Sequence, residues 1–411
     1  MTVELPYNRK TLSVKVAPEH FGGILRLNED AGKGKRNPAE LTKAAIRGSF
    51  EKFMALPGDL LVIVNDGTRP TPTRYVLDVI GQDLAKADAS FLIATGSHRA
   101  PTRQEYDFIF GSWYERFKDR VFVHDCHAMD EMDFYGKTGR GTELYLNKLV
   151  KKAARVIVIG SVEPHYFAGY TGGRKAFLPG VAAYCSIEQN HKMALSPDAK
   201  ALALEGNPVH DDLMEAMTLV KCPVYSIMTV LDKDHAIDTV TAGDITESFD
   251  EAVRAANRIF TAPLGSKADI VVTAAPYPMD VDLYQSQKAI DNAKLALKKG
   301  GTMILVSACR EGIGGEAFAK LLSGASTPEQ VLEKIRSGFK LGYHKAAKMA
   351  EVFMNATVQA YTELDDEQMK SIFITPVHDL QKAIDDAVAK YGPSSKVVFM
   401  PDGSVTVPMV G

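Results

Sequence analysis

The chain has 411 residues, 45% of them apolar and 24% charged, with a formal net charge of −3. That profile is that of a soluble globular protein too long for one ordinary core, and it gives no reason to expect nucleic acid or an anionic membrane as a partner. No run reaches the ~18 consecutive apolar residues of a membrane span. The start of the chain, Met1-Thr-Val-Glu-Leu-Pro, has neither signal-peptide nor transit-peptide composition. Cys126, Cys185, Cys222 and Cys309 lie far apart, so a reduced, cytoplasmic protein without a disulfide framework is expected.

In chain order, the apolar run Leu60–Val64 predicts a first strand. Pro72–Lys86 reads as a helix with proline in its first turn. Ser90–Ala94, Arg120–Val123 and Arg155–Gly160 predict three more strands. Ser186-Ile-Glu-Gln189 has the pattern of a capping box opening a helix, which would set His191 in the second turn. After a linker around Gly265-Ser-Lys267, Ala268–Ala274 predicts a strand, Tyr284–Lys299 a helix stopped by Gly300-Gly301, and Thr302–Ser307 a further strand. Near the end, Pro401-Asp-Gly403 between two β-rich runs signals a hairpin. The alternation predicts an α/β protein of two domains. The larger, N-terminal one is a doubly wound, mostly parallel sheet over residues 1–262. A smaller C-terminal α/β domain over 268–395 closes over the site, and residues 396–411 return to the first domain.

Polar clusters follow the strand ends. Asp66-Gly-Thr-Arg-Pro-Thr-Pro72 follows the first strand, Thr95-Gly-Ser-His-Arg99 the second, His124-Asp-Cys-His127 the third and Glu163-Pro-His165 the fourth. Open α/β sheets bind ligands in the crevice beyond the carboxyl ends of their strands, so a shared site is expected there. Arg69 offers a planar fork for a carboxylate or phosphate. His98 and His165 are candidate general acid/bases. His124, Cys126 and His127 lie too close in sequence to surround one metal, and a structural loop role suits them better. The run from Gly169 to Lys175 fails as a Walker A loop, because Ala176 stands where Ser or Thr should follow the lysine. Gly312-Ile-Gly-Gly315 is a weak dinucleotide signal. Gln285, Lys288 and Asn292 share one face of the predicted helix, and spacing alone makes them a solvated stripe.

In this order the motifs resemble those of the nickel-dependent lactate racemase family. They are Asp66-Gly-Thr-Arg-Pro-Thr-Pro72, Gly96-Ser-His-Arg99, the run from His165 through Lys175 to Leu178-Pro-Gly180, His191, and Gln285-Ser-Gln-Lys288. The resemblance implies a racemase or epimerase that inverts C2 of a 2-hydroxy acid, lactate by default, by proton-coupled hydride transfer. It implies a nickel-pincer pyridinium mononucleotide joined covalently to the amine of Lys175, with His191 as the protein's nickel ligand. His98 and His165 would be the two bases, and Arg69, Gln285 and Lys288 the substrate contacts. Asp66 and Thr68 would position Arg69 or the cofactor phosphate, and Gly172 and Gly173 would admit the cofactor close to the backbone. The cofactor is installed by separate synthesis proteins, so a preparation can be apo, and either a monomer or a homodimer fits. Asn65 and Gly67 flank Asp66 where a second acid or a larger residue is common, a change expected to enlarge or neutralise part of the pocket. Two other readings compete: a nicotinamide-dependent 2-hydroxy-acid dehydrogenase, and a non-catalytic nickel or cofactor carrier.

Overall fold

The computed structural model describes residues 1–28 and 37–411. The chain divides into two compact units, one comprising Glu29–Ile259 and the other Met1–Asn28 with Phe260–Gly411.

The first unit is built on a six-stranded sheet. Its spatial order is Ile237–Asp244, Val224–Leu231, Arg155–Ser161, Leu60–Asn65, Ser90–Ala94 and Val121–Val123. All neighbours are parallel except the first pair. The central strands are apolar on both faces because both are covered, as continuous Val/Ile/Leu runs require. Val62, Val64, Ile157 and Ile159 are completely or almost completely buried. Each such side chain contributes about 1.5–3 kcal/mol over an exposed one. The Thr73–Lys86 helix adds Val76, Leu77, Ile80 and Leu84 to this core from one face, at helical spacing. Leu60–Asn65 is first in sequence, and the next two strands extend the sheet to one side of it. Arg155–Ser161 then pairs on its other side. The strand order therefore reverses between these two strands, at the place where ligand crevices form.

The second unit holds an all-parallel sheet in the order Thr375–Pro376, Thr357–Tyr361, Leu297–Val306, Ala268–Ala274, Val397–Met400 and Phe21–Ile24. The N-terminal hairpin, Thr2–Tyr7 with Lys10–Lys15, buries Val3, Leu5 and Val14 in the same core.

Several local expectations need correction. Residues 1–28 belong with the C-terminal unit, not the N-terminal one, because Phe21–Ile24 is an edge strand of its sheet. Residues 396–411 also stay there. Val397–Met400 pairs in parallel with Ala268–Ala274, and Val407–Val410 pairs in parallel with Thr261–Leu264. The Pro401-Asp-Gly403 turn is thus no hairpin; it joins strands of two different sheets. It packs inward, with Gly403 N–H donating to the Ala274 carbonyl at 2.8 Å. A Cβ on Gly403 would lie 2.0 Å from Thr273 Oγ1, which is why glycine stands there. The helix expected to reach Lys299 ends at Ala296, and the strand begins at Leu297, ahead of the two glycines.

Candidate functional site

Three of the expected residues converge on one aromatic ring. A short hairpin, Pro164–His165 with Gly169–Tyr170, leaves the end of the Arg155–Ser161 strand and carries His165 and Phe167. Lys175 follows on a short 3-10 turn, and His191 lies in the last turn of the Tyr184–Lys192 helix. Lys175 Nζ is 3.4 Å from His165 Nε2 and 5.3 Å from the centre of the Phe167 ring. The His165 and His191 rings meet Phe167 edge-on, with centroids at 4.5 Å and 5.0 Å. Sequence reasoning passed over Phe167, because a lone aromatic in a glycine-rich run carries no period that marks it.

The Lys175 amine titrates well below the ordinary lysine value. Burial is the largest cause, followed by the charges of Arg69 and Arg174; Glu163 opposes them. The neutral, nucleophilic amine is therefore favoured. Arg174 is itself buried, donating to the carbonyl of Ala168 at 2.9 Å and lying over the Phe249 ring at 4.2 Å. Desolvation pulls its pKa down to about 9.

His98 lies at the end of the Ser90–Ala94 strand, half-exposed. Its Nδ1 is 2.8 Å from Asp66 Oδ2, and Asp66 is buried. Thr68 Oγ1 donates to Asp66 Oδ1 at 2.8 Å and lies 3.2 Å from His98 Nδ1. Asp66 and Thr68 thus hold the imidazole. His98 and Arg69 belong to the first two strand ends, and His165 belongs to the strand on the other side of the reversal.

Gly172 and Gly173 have φ of +80° and +53°. A Cβ on Gly172 would come within 2.6 Å of Val162 Cγ2 and 2.8 Å of the Ser161 carbonyl oxygen. A Cβ on Gly173 would lie 3.1 Å from the Phe249 ring, so both glycines let the loop that presents Lys175 pack closely against its own chain. Gly67 likewise leaves no empty space, since a Cβ there would meet Glu105 Cγ at 2.4 Å. Glu105 is held by both guanidinium nitrogens of Arg99, at 2.7 and 2.9 Å. The expected enlargement of the pocket at Gly67 is filled by this carboxylate.

The helix bearing His191 is fixed in a way the capping-box pattern did not foresee. It starts at Tyr184 with Ala183 in the N-cap position, three residues early, and no side chain caps it. Ser186 instead donates to the Glu143 carbonyl at 2.5 Å and accepts from Tyr145 N–H at 3.0 Å, tying the helix to the Glu143–Asn147 strand. Beside His191, Asn190 donates to the fully buried Asp212 at 2.8 Å. Asp212 also accepts from Thr138 at 2.5 Å and Thr142 at 2.9 Å. Asp212→Ala would leave these donors buried without their acceptor, and it is expected to cost about 3 kcal/mol. A urea melt of the apo-protein reads this as a lower midpoint at unchanged slope; an unmoved midpoint would contradict it.

Other sequence candidates have protein partners of their own. His124 Nε2 is 3.0 Å from the Ala182 carbonyl oxygen, and His127 stacks on Tyr184. Among the described residues no group of three His, Cys, Asp or Glu side chains is placed to hold a metal. Asn292 is buried and donates to the Gly403 carbonyl at 2.8 Å, so it is not part of a solvated stripe. Gly314 packs against Asp282, where a Cβ would lie 2.5 Å from the carboxylate. Gln285 and Lys288 lie on the Leu283–Ala296 helix of the C-terminal unit, partly buried.

Residues 7–202 match the family described as the lactate racemase N-terminal domain, and residues 265–407 match the lactate racemase C-terminal domain. The chain is 30% identical to a lactate racemase of Thermoanaerobacterium thermosaccharolyticum, over 98% of this chain and 97% of that one. It is 27% identical to a lactate racemase of Lactiplantibacillus plantarum, over 98% of both. Its fold is similar to that of the lactate racemase apoprotein from Thermoanaerobacterium thermosaccharolyticum, with a TM-score of 0.90 over 100% of both chains. A Thermotoga maritima protein, 15% identical with a TM-score of 0.66 over 92% of this chain and 98% of that one, shares the fold. No described helix is long and apolar enough to cross a membrane.

Proposed function

Because the chain belongs to the lactate racemase family, we propose that it is an isomerase inverting C2 of a 2-hydroxy acid, lactate by default, with a nickel-pincer nucleotide joined to Lys175. The observation that carries this reading is the amine of Lys175. It is held toward its neutral form beside His165, on the Phe167 ring that His191 also meets. A covalent tether needs a nucleophilic amine, and a nickel centre with soft sulfur ligands accepts an imidazole, so these residues fit the group. When bound, it supplies a reversible hydride acceptor for C2 of the substrate.

The protein's own share is binding and proton transfer. Lys175 would form the tether and His191 would ligate the nickel. Arg69 holds the substrate carboxylate, and Gln285 and Lys288 are the contacts assigned to the C-terminal unit. The Asp66 carboxylate takes the Nδ1–H of His98, which leaves the Nε2 lone pair of the neutral ring to accept the substrate hydroxyl proton. His165 is assigned the second proton-accepting role, for the opposite hand of substrate.

Protein produced together with cofactor-synthesis proteins should yield a Lys175-containing peptide of increased mass, and it should interconvert D- and L-lactate or another 2-hydroxy acid. An unmodified Lys175 with no bound nickel, or turnover only with added free NAD, would refute the reading.

A further inference from the structure

Between the turn that carries Lys175 and the helix that carries His191 runs the segment Gly180-Val-Ala182. Its three successive carbonyls are all held from outside. The Gly180 carbonyl accepts from Gly96 N–H at 2.9 Å, and the Val181 carbonyl accepts from Asn147 N–H at 2.9 Å. The Ala182 carbonyl oxygen lies 3.0 Å from His124 Nε2. The anchors come from three different strands: Gly96 follows Ser90–Ala94, His124 follows Val121–Val123, and Asn147 ends Glu143–Asn147. The segment is also tied to both sides of the site. Gly180 N–H donates to the Lys175 carbonyl at 3.0 Å. Ala183, just beyond, accepts from Ile187 N–H at 3.0 Å in the first turn of the His191 helix.

Of the three anchors, His124 alone acts through a side chain, and that residue is 2% exposed. Its backbone is fixed on both sides. Its N–H donates to the Ile93 carbonyl at 3.1 Å, and its carbonyl accepts from the Thr95 hydroxyl at 2.7 Å. A carbonyl oxygen only accepts, so Nε2 carries the ring proton and Nδ1 is left as an acceptor. Asn147 Nδ2 stands 3.5 Å from that Nδ1, and Asn147 Oδ1 is occupied by Leu149 N–H at 3.1 Å. Burial pushes the His124 pKa down, which favours the neutral ring that this arrangement needs. The proton chemistry gives this ring no task. A buried polar ring costs more to keep than an apolar one unless its hydrogen bonds are made, and the bond that His124 makes reaches the link between Lys175 and His191.

We propose that His124 is a positioning residue: by holding the Ala182 carbonyl it fixes the span between Lys175 and His191, the two points at which the cofactor would be gripped. The roles of those two residues rest on the isomerase reading above; the clamp itself does not.

His124→Gln and His124→Asn test it as a pair. Both introduce a neutral amide, but only the longer glutamine side chain can carry its NH2 to the place of Nε2. The full-length apo-protein is followed by amide hydrogen exchange. Protein produced with the cofactor-synthesis proteins is followed by nickel release to EDTA at equal Lys175 adduct. In His124→Asn, the amides of residues 180–187 should exchange at least about tenfold faster than in the parent, a larger change than in the Leu60–Asn65 strand. Nickel should leave about tenfold faster, the usual weight of a residue that orients a ligand from behind. His124→Gln should stay close to the parent in both. Nickel release equal in the parent and His124→Asn overturns the proposal, as does exchange at 180–187 that changes no more than in the core strand. So does nickel loss as fast in His124→Gln as in His124→Asn. Where His124→Asn does not fold, His124→Leu takes its place with the same outcomes. If the parent itself carries neither adduct nor nickel, the isomerase reading falls and the exchange pattern alone decides the clamp.

Discussion

Lys175→Ala protein, produced with the cofactor-synthesis proteins, is expected to carry no adduct and to lose racemisation by about 10³-fold or more. The fold should survive the change, because the bends and the closing hydrogen bond of the loop belong to other residues. Gly172 and Gly173 bend the backbone, and the buried Arg174 closes it through the Ala168 carbonyl. The amine is in fact a burden on the apo-protein. Its pKa in the folded chain is depressed, so between that lowered value and the ordinary lysine value of 10.5 the unfolded chain binds more protons than the folded one. Stability then rises with pH across this window, and at neutral pH the site costs stability. Lys175→Met should therefore melt higher than the parent at pH 7. Each kcal/mol recovered raises Tm by about 2–4 °C in a domain of this size, and the gap should close as the pH approaches 10.5. Loss of activity together with gain of stability is the signature of a group kept for chemistry. If Lys175→Met instead melted lower than the parent at every pH, the amine would be a structural contact and the tether assignment would lose its physical basis.

The parts of the molecule legible in the sequence are those with a period or a motif. The strands Leu60–Asn65, Ser90–Ala94 and Arg155–Ser161 show as unbroken apolar runs because both their faces are covered. The polar clusters at their ends could be read as a site because the doubly wound topology gathers them there. What the sequence hid was long-range pairing. Phe21–Ile24 finds its partner strand at Val397–Val398 and Phe399, and no local pattern announces a pairing across nearly the whole chain. The Pro401-Asp-Gly403 turn misled for the same reason. Turn chemistry fixes a local bend and says nothing about which strands lie on either side. Ser186 was misread because a hydroxyl that could cap a helix can also bridge to a neighbouring strand, and tertiary contacts decide between the two. In the site, residue types were legible and partners were not. Asp66 was visible as a polar residue beside Arg69, but its bond to His98 spans the connection between two strands.

That bond sets up the second large effect. Asp66→Asn should lower kcat by about 10²–10⁴-fold, the usual worth of a positioned acid/base, with nickel content and the Lys175 adduct unchanged. The carboxylate can only accept, so it holds the proton of the neutral imidazole on Nδ1 and keeps the Nε2 lone pair available. An amide in its place can donate to Nδ1 instead, which moves the ring proton to Nε2 and removes the base. His165 has other neighbours. The backbone N–H of Ala168 lies 3.3 Å from its Nδ1, and the Lys175 amine lies 3.4 Å from its Nε2. Because the two enantiomers are equal in energy, kcat/KM must fall by the same factor in both directions whichever histidine is damaged. A chirality-resolved assay run from each enantiomer measures this, and Asp66→Asn and His165→Ala should both show the paired loss. Activity within a few-fold of the parent in Asp66→Asn would mean that His98 needs no fixed tautomer, and the proton-accepting role would pass to another group.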